Sequence, residues 1–405
     1  MNKLTKLSIE QFRNVAPTTL EFRPGINVLL GKNAAGKTTL LRLLASAIGQ
    51  LEPALQNDVL KVSYCVSANQ LDYEHTITRV RLPRPNLTLE SLGEELLSLQ
   101  QTDSFVFKEY GEVAAKAEVR SNEIVLELNG QKKRVERHDQ LPPLLAVGWP
   151  LAINPGLSEK AAALSTAITG ARVQSAGRTD ESLERFAALL KYEMRREDQI
   201  LYGKILELPY SMRGAVLSEP IPGGTSATFT PEFLKRVARV IGYDSASARF
   251  DVEHIAPLYG TQAARLSNLR FFFKRPGEEV SHDLLSYGQK RLLAFFAYAD
   301  ASPDLIIADE LVNGLHHEWI SACLEEIGDR QAFLTSQNPL LLDFLRFDSA
   351  EEVRRTFILC ERTSSAPDAQ LIWRNPTEDE AESFFAAYQT GIQRVSDILL
   401  TKGLW

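Results

Sequence analysis

Cysteine is scarce. The 405 residues hold three, Cys65, Cys323 and Cys360, far apart and without metal-ligand spacing. This argues against a cysteine zinc site and fits packed thiols in a reducing compartment. The six histidines are dispersed apart from His316-His317, so no His/Cys zinc or His-Asn-His nuclease constellation is present in the sequence. No apolar run is long enough to span a bilayer. Met1 to Lys6 leads straight into a strand pattern, without the apolar stretch of a signal peptide. A cytoplasmic chain with no membrane partner is therefore expected. Sustained heptads and internal repeats are also missing, which argues against a long coiled-coil arm. Positive charge is in deficit: the net charge of −7 argues against a protein coated in nucleic acid and leaves room for a local basic groove. Composition is globular, with 44% hydrophobic and 24% charged residues. The length exceeds one ordinary domain, so two lobes or one domain with an insertion is expected.

What is present centres on Gly31-Lys32-Asn33-Ala34-Ala35-Gly36-Lys37-Thr38, which reads G-x-x-x-x-G-K-T. Ile26 to Leu30 before it is a β-favouring apolar run, and Thr39 to Ala45 after it is an amphipathic helix. Strand, glycine loop and helix is the context that turns the pattern into a phosphate cradle. The loop N–H groups and the helix N-terminus bind anions. Lys37 would reach the β and γ phosphates of ATP, and Thr38 would place its hydroxyl on Mg²⁺.

Ahead of the loop, Leu7 and Ile9, then Leu20 and Phe22, alternate with polar neighbours and predict two strands around Arg13. Behind it, Lys61–Val66 and His75–Val80 predict a hairpin. Ile124–Leu128 and Lys132–Val135 predict another, turning at Asn129-Gly130. An antiparallel β layer thus follows the first helix. Leu144–Trp149 reads as a buried strand. From about residue 154 the texture becomes helical, with one helix expected over Asp180–Leu206 from the spacing of Leu183, Phe186, Leu190 and Met194. A second is expected over Pro231–Ile241.

The last third returns to alternating strand and helix, the pattern of a parallel sheet. The apolar run Asp304–Ala308 ends in Asp309-Glu310. A strand-end Asp309 suits the water shell of magnesium, and Glu310 suits polarisation of an attacking water. Upstream, Leu285-Ser286-Tyr287-Gly288-Gln289 opens an apolar helix, so N–H groups at Ser286 and Gly288 could meet a γ-phosphate. Asn313-Gly314-Leu315-His316 is a turn, and Thr335-Ser336-Gln337-Asn338-Pro339 closes a further strand.

Together these residues resemble the ABC-type ATPases of the RecF, SMC and OLD kind, including ATPase subunits of anti-phage systems such as Septu and PARIS. The resemblance rests on Phe12-Arg13-Asn14, the loop Gly31 to Thr39, Ser286 to Gln289, Asp309-Glu310, the turn at Asn313 and the stretch ending in Pro339. It implies an α/β head with a mixed sheet and an antiparallel β layer, in which two subunits sandwich two ATP molecules. One subunit's loop, including Gly31, Asn33, Ala34, Ala35, Gly36, Lys37, Thr38 and Thr39, would face the other's Ser286, Gly288 and Gln289. By the same resemblance Arg13 would contact the phosphates. Gln70 is the candidate for the family's Q-loop glutamine. The expected division is a head built from 1–154 and 266–405, interrupted by a helical insertion over 155–265 for partner or assembly contacts.

Two departures shape the functional expectation. The family's histidine after the switch strand is replaced by Gln337, which can hydrogen-bond a phosphate but cannot carry a proton's charge. Slow hydrolysis is expected, with ATP acting partly as an assembly signal. The stretch after Pro339 is shorter than the Toprim nuclease of OLD relatives plus the closing strands would need. The expectation is an ATP-driven sensor or scaffold in a homo-oligomer, controlling a separate nuclease or toxin, with DNA or a phage protein as trigger. The competing reading is a RecF- or SMC-like repair or chromosome-maintenance ATPase that binds DNA. Its candidate groove residues are Arg79, Arg81 and Arg84, then Lys132, Lys133 and Arg134, then Arg270, Lys274 and Arg275 beside Phe271, Phe272 and Phe273. A transporter ATPase subunit is a third, weaker reading.

Overall fold

A computed structural model describes residues 2–49, 52–68, 71–83, 97–128, 130–137, 141–153, 159–203, 208–220, 223–257, 262–363 and 369–404. The chain divides into two compact units. Unit 1 comprises Met1–Gln174, Arg330–Thr335 and Leu345–Trp405; unit 2 comprises Ser175–Asp329 and Ser336–Phe344.

Unit 1 begins with β1 (Lys3–Phe12), β2 (Thr18–Glu21), β3 (Ile26–Leu30) and α1 (Lys37–Ala47). It continues through β4 (Leu60–Ser67), β5 (Asp72–Pro83), β6 (Leu97–Glu109), β7 (Glu112–Val119), β8 (Glu123–Leu128), β9 (Gln131–Glu136), α2 (Pro143–Ile153) and α3 (Glu159–Gly170). Eight of these strands form an antiparallel sheet in the order β2-β1-β4-β5-β6-β7-β8-β9. The period of two is visible in β4, where Leu60, Val62, Tyr64 and Val66 are buried and the residues between them are not.

Unit 2 holds β10 (Arg178–Thr179), α4 (Glu184–Leu190), β11 (Met194–Glu197), β12 (Ile200–Tyr202), α5 (Tyr210–Ser218), β13 (Ser226–Phe229), α6 (Glu232–Val240), β14 (Ser245–Ile255), β15 (Ala263–Arg275) and β16 (Glu278–Ser281). After these come α7 (Tyr287–Asp300), β17 (Leu305–Ala308) and α8 (His317–Ile327). An antiparallel sheet runs β12-β11-β15-β14-β13, with β16 on β15. Separately, β10 lies parallel to β17.

The chain then re-enters unit 1 as β18 (Gln331–Thr335), visits unit 2 as α9 (Leu340–Asp343), and ends in unit 1 with α10 (Ala350–Thr356), β19 (Phe357–Arg362), β20 (Leu371–Arg374), α11 (Glu378–Gln389) and α12 (Val395–Thr401). Here β3 lies between β18 and β19, parallel to both, and β20 returns antiparallel on β19. These central strands are buried on both faces, so they read as continuous apolar runs. Gln331, fully buried, joins the two sheets of the unit. Its amide accepts from the Leu4 N–H at 2.8 Å and donates to the Leu4 and Arg23 carbonyls at 2.7 and 2.8 Å.

The fold class agrees with the expectation: an α/β protein with parallel and antiparallel sheets. Several local expectations are corrected. Leu144–Trp149 is not a strand but part of α2, and Trp149 is exposed. A short apolar run has no periodicity to separate buried strand from helix, and Pro143 at the first helical position decides it. The single helix over Asp180–Leu206 breaks into α4, β11 and β12. Met194–Glu197 pairs with residues 263–266 of β15, a distant partner that overrides the local helical spacing. The stretch 155–265 is accordingly mixed rather than helical, and it contributes most of an antiparallel sheet. Strands β6 and β7 also lengthen the β layer beyond the two hairpins expected. Gln70, Arg84 and Asn129 lie outside the described residues.

Candidate nucleotide site

In unit 1 the loop between β3 and α1 is held from below by β19 and β20. A Cβ on Gly31 would fall 2.1 Å from the Cys360 carbonyl oxygen, so only glycine allows strand β19 this close. Gly36, the N-cap of α1, is left-handed at φ 84°, a conformation that favours glycine. Trp373, 1% exposed, donates from Nε1 to the Ala35 carbonyl at 3.1 Å. That bond turns the carbonyl inward, under the loop. Burial pushes the neighbouring Cys360 thiol up to about 12, so it is a packing group at neutral pH.

The first turn of α1 contains no acid and its N-cap offers no side-chain bond. An 11-residue helix with such an N-terminus suits an anion. Lys37 folds back over the loop, its ammonium on the carbonyls of Gly31 at 2.6 Å and Lys32 at 3.2 Å. The loop therefore fits a nucleotide phosphate, which would exchange places with these carbonyls at Lys37. Lys32, Asn33 and Ala34 are exposed, Ala34 at φ 64°, and Ala35 is buried. A cavity of about 360 Å³ adjoins the loop, lined by Gly31, Asn33, Glu361, Arg362 and Leu404 among others. Arg13 is held elsewhere: its Nε lies 3.0 Å from both carboxylate oxygens of Asp58, and its Nη2 donates to the Ala54 carbonyl at 2.8 Å.

In unit 2, strand β17 ends in Asp309 and Glu310 as the sequence indicated. Asp309 is buried, its amide donates to Thr179 at 2.9 Å, and Arg178 stands 3.8 Å from its carboxylate. Glu310 turns the chain sharply, at φ 53°. One of its carboxylate oxygens accepts from the Asn313 amide at 2.8 Å, the other from the Gln337 amide at 3.2 Å. So the structure brings Glu310 and Gln337 together. Ser286 and Gln289 are also brought together, as a capping box: the Ser286 hydroxyl accepts from Gln289 N–H at 3.3 Å and Gln289 Oε1 accepts from Ser286 N–H at 2.9 Å. Against Gly288 packs Trp319, whose ring would lie 2.8 Å from an added Cβ. Tyr287 is exposed and donates its hydroxyl to the Glu181 carbonyl at 2.7 Å.

Sequence reasoning missed Arg291. Buried in α7, it donates to the carbonyls of Glu310 at 2.6 Å, Leu311 at 3.1 Å and Asn313. It grips the whole turn that follows Asp309. A signal was available, since Arg291 heads the buried stripe completed by Phe295 and Tyr298. Trp373 gave no such signal, because its partner lies more than three hundred residues away.

Among the described residues, three members of the basic clusters are paired with acids within the chain. Arg270 pairs with Asp251 at 2.6 Å, Arg275 with Glu278 at 2.5 Å and Lys132 with Glu127 at 3.7 Å. Arg79 is buried on Gln101 and the Leu55 carbonyl. Phe271 and Phe273 are core residues, and Phe272 lies under the Arg249 guanidinium.

The fold, the glycine loop and the Asp-Glu strand end define a P-loop ATPase of ABC type. Family profiles agree: one for an AAA domain matches residues 6–140, and one described as "AAA domain, putative AbiEii toxin, Type IV TA system" matches 164–343. The Smc-like protein Sph2 of Halobacterium salinarum is 32% identical over 85 residues, 21% of this chain and 12% of that protein. RecF of Psychromonas ingrahamii is 51% identical over 41 residues, 10% of this chain and 11% of that protein. RecF of Staphylococcus epidermidis is 34% identical over 77 residues, 18% of this chain and 21% of that protein. Each match thus spans about a fifth or less of the relative's length. A crystal structure titled as an SmcHead bound to the C-winged helix domain of ScpA aligns with a TM-score of 0.41 at 10% identity, covering 92% of this chain and 98% of that one. The chain thus carries AAA-type ATPase domain sequence over residues 6–140 and 164–343, and short stretches of it are similar to SMC-like and RecF proteins.

Proposed function

We propose that the chain binds ATP with Mg²⁺, hydrolyses it slowly, and acts as the ATP-dependent sensor or scaffold subunit of a defence complex that controls a separate nuclease or toxin. Lys37 and the loop amides take the phosphates, Thr38 and Asp309 serve the metal and its waters, and Glu310 polarises the attacking water. The Ser286–Gln289 turn and the Asn313–His316 turn meet a second copy of the chain, forming an ATP-sandwich dimer or a larger homo-oligomer. Arg13 joins the phosphates when nucleotide is present.

The observation that carries this reading is the double amide grip on Glu310. Both its oxygens accept from neutral amides, Asn313 and Gln337. An attacking water meets a carboxylate whose oxygens are each already engaged, and an amide at position 337 cannot shuttle a proton. ATP would then persist long enough to report a state. Two further facts support the defence setting over DNA repair: the profile over 164–343 carries the AbiEii toxin description, and the candidate DNA-binding arginines 270 and 275 are paired with acids. The short RecF matches favour the repair reading.

Solution mass by light scattering tests the two. It is measured with and without ATP and Mg²⁺, for wild type and Glu310→Gln, with and without a short duplex DNA. A large oligomer that persists without nucleotide and ignores DNA supports the scaffold. A monomer that dimerises only with ATP and retains DNA, most stably as Glu310→Gln, establishes the RecF-like clamp instead.

A further inference from the structure

Arg13 and Asp58 form a contact that the ATPase chemistry does not require. Arg13 follows strand β1 in a left-handed conformation, φ 45°, which is uncommon for an arginine. Its guanidinium lies against both oxygens of Asp58 and also bonds the Ala54 carbonyl. Ala54 and Asp58 belong to the connection between α1 and β4, which contains the 3₁₀ turn Pro53–Leu55. The far side of that turn is fixed by Arg79, whose Nη1 donates to Leu55 at 2.6 Å and Gln56 at 3.4 Å. One arginine of this pair is buried; Arg13 is the exposed and exchangeable one.

Arg13 also adjoins the phosphate loop through its chain neighbours. Phe12 packs on Trp373 at 6.4 Å between ring centroids, and Trp373 bonds the Ala35 carbonyl. Asn14 accepts the Leu371 N–H at 2.9 Å, and Leu371 abuts Gly36. An arginine flanked by residues that brace a phosphate-binding loop can exchange its carboxylate for the phosphate bound there.

We infer that Asp58 is a latch that competes with nucleotide for Arg13, so that ATP binding frees the 53–58 turn. This rests on the proposed assignment of Arg13 to the nucleotide. In the latched form the arginine neutralises Asp58 and ties down Ala54. When a triphosphate draws it away, the Ala54 carbonyl loses its side-chain donor, Asp58 keeps only the more distant charge of Arg79, and the turn is held by Arg79 and the buried Leu55. Because the turn contributes Leu55 to a cavity of about 570 Å³ floored by β4, β5 and β6, the change reaches the β layer of the same unit. Asp58 is thus a positioning residue that sets nucleotide affinity without touching nucleotide.

The affinity of a group that is partly occupied elsewhere falls by the occupied fraction. For a partly exposed bidentate pair the expected gain on removing the latch is roughly 2–10-fold in Kd. The experiment is a titration with a fluorescent ATP analogue and Mg²⁺ on the full chain, for wild type, Asp58→Ala, Arg13→Ala, the double variant and Lys37→Ala. Amide exchange of Leu55, Gln56 and Asp58, whose N–H groups bond Glu52, Pro53 and Leu55, is followed with and without ATP. The latch predicts tighter binding by Asp58→Ala, weaker binding by Arg13→Ala, and a double variant equal to Arg13→Ala alone. It also predicts faster 53–58 exchange on adding ATP in wild type and none in Arg13→Ala. If wild type binds in a Lys37-dependent way but Asp58→Ala binds no tighter, or tightens equally without Arg13, the latch is overturned and the ATPase reading stands. If wild type shows no Lys37-dependent binding, both fall.

Discussion

Arg291→Met is the substitution from which the reasoning about the catalytic turn has most to lose. Arg291 is 7% exposed, and its guanidinium serves three carbonyls, those of Glu310, Leu311 and Asn313. A hydrogen bond from a charged donor contributes about 1.5–3 kcal/mol when its acceptor would otherwise be stranded. Only the bond to Leu311 is fully buried, and methionine fills much of the arginine stem's volume, so the three losses do not add. A destabilisation of about 3 kcal/mol is expected, within the range of a single broken buried network. The turnover effect should be larger than stability alone implies. Glu310 sits at φ 53° with its carbonyl in the Arg291 grip, and a base displaced by about an ångström loses on the order of 100-fold in rate. The assay is phosphate release at saturating ATP beside nucleotide affinity by titration, at a temperature where the variant is folded. Turnover should fall at least about tenfold while affinity stays within about twofold, because the Gly31–Thr38 loop belongs to the other unit. Arg291→Lys, which keeps charge but not the fork, should fall between. A variant that melts earlier yet turns over at the wild-type rate would show Arg291 to be packing only. Turnover and affinity lost together would refute the separation of roles.

Gly36→Ala should lower the melting temperature and abolish ATP binding, since its Cβ would meet Leu371 at 2.8 Å and Trp373 at 3.1 Å on a backbone at φ 84°; a wild-type melt and titration would refute the close packing. Trp373→Phe keeps the ring but strands the Ala35 carbonyl, so nucleotide affinity should fall by about 1–2 kcal/mol, read by the same titration. His282 is held below the usual histidine range by burial, against a weaker opposite pull from Asp283, and its Nδ1 accepts the Phe271 N–H at 3.2 Å. The unfolded chain therefore takes up a proton first. Stability should be full above about pH 6.5 and decline as pH falls below it, and urea melts of His282→Gln between pH 5 and 7 should lack that component.

The parts of the site that the sequence makes legible are those whose chemistry is contiguous. The phosphate loop is eight residues with its strand and helix attached, and the Asp309-Glu310 pair ends its own apolar strand, so both could be read locally. What escaped is what depends on distant partners. The spacing of Leu183, Phe186, Leu190 and Met194 is helical, yet the chain breaks after Leu190 because Met194–Glu197 finds β15, some seventy residues on. Leu144–Trp149 carried too few residues to distinguish its period. Arg13 was assigned by resemblance alone, and the residue that holds it, Asp58, lies 45 positions away in a connection with no motif. Gln337 was read as a weak substitute for a histidine, but nothing local indicated that its amide would face Glu310 across 27 positions.

These partners share a property that bears on how such an ATPase would switch. Lys37 rests on Gly31 and Lys32, Arg13 on Asp58, Ser286 on Gln289, and Glu310 on Asn313 and Gln337. Each of these four groups, all assigned a role in ATP chemistry, already has an internal partner. Nucleotide binding is then an exchange of hydrogen bonds rather than the filling of unmet ones, and each exchange returns only the difference between old and new partner. Such a site gains little from a ligand that satisfies one or two groups and much from one that satisfies them all. Discrimination between ATP and ADP would follow from this alone, because the γ-phosphate decides whether the later exchanges are favourable. A set of exchanged contacts can in turn release the segments they held, as at the 53–58 turn and at Glu310. ATP occupancy would thereby become a conformational signal even where its hydrolysis is slow.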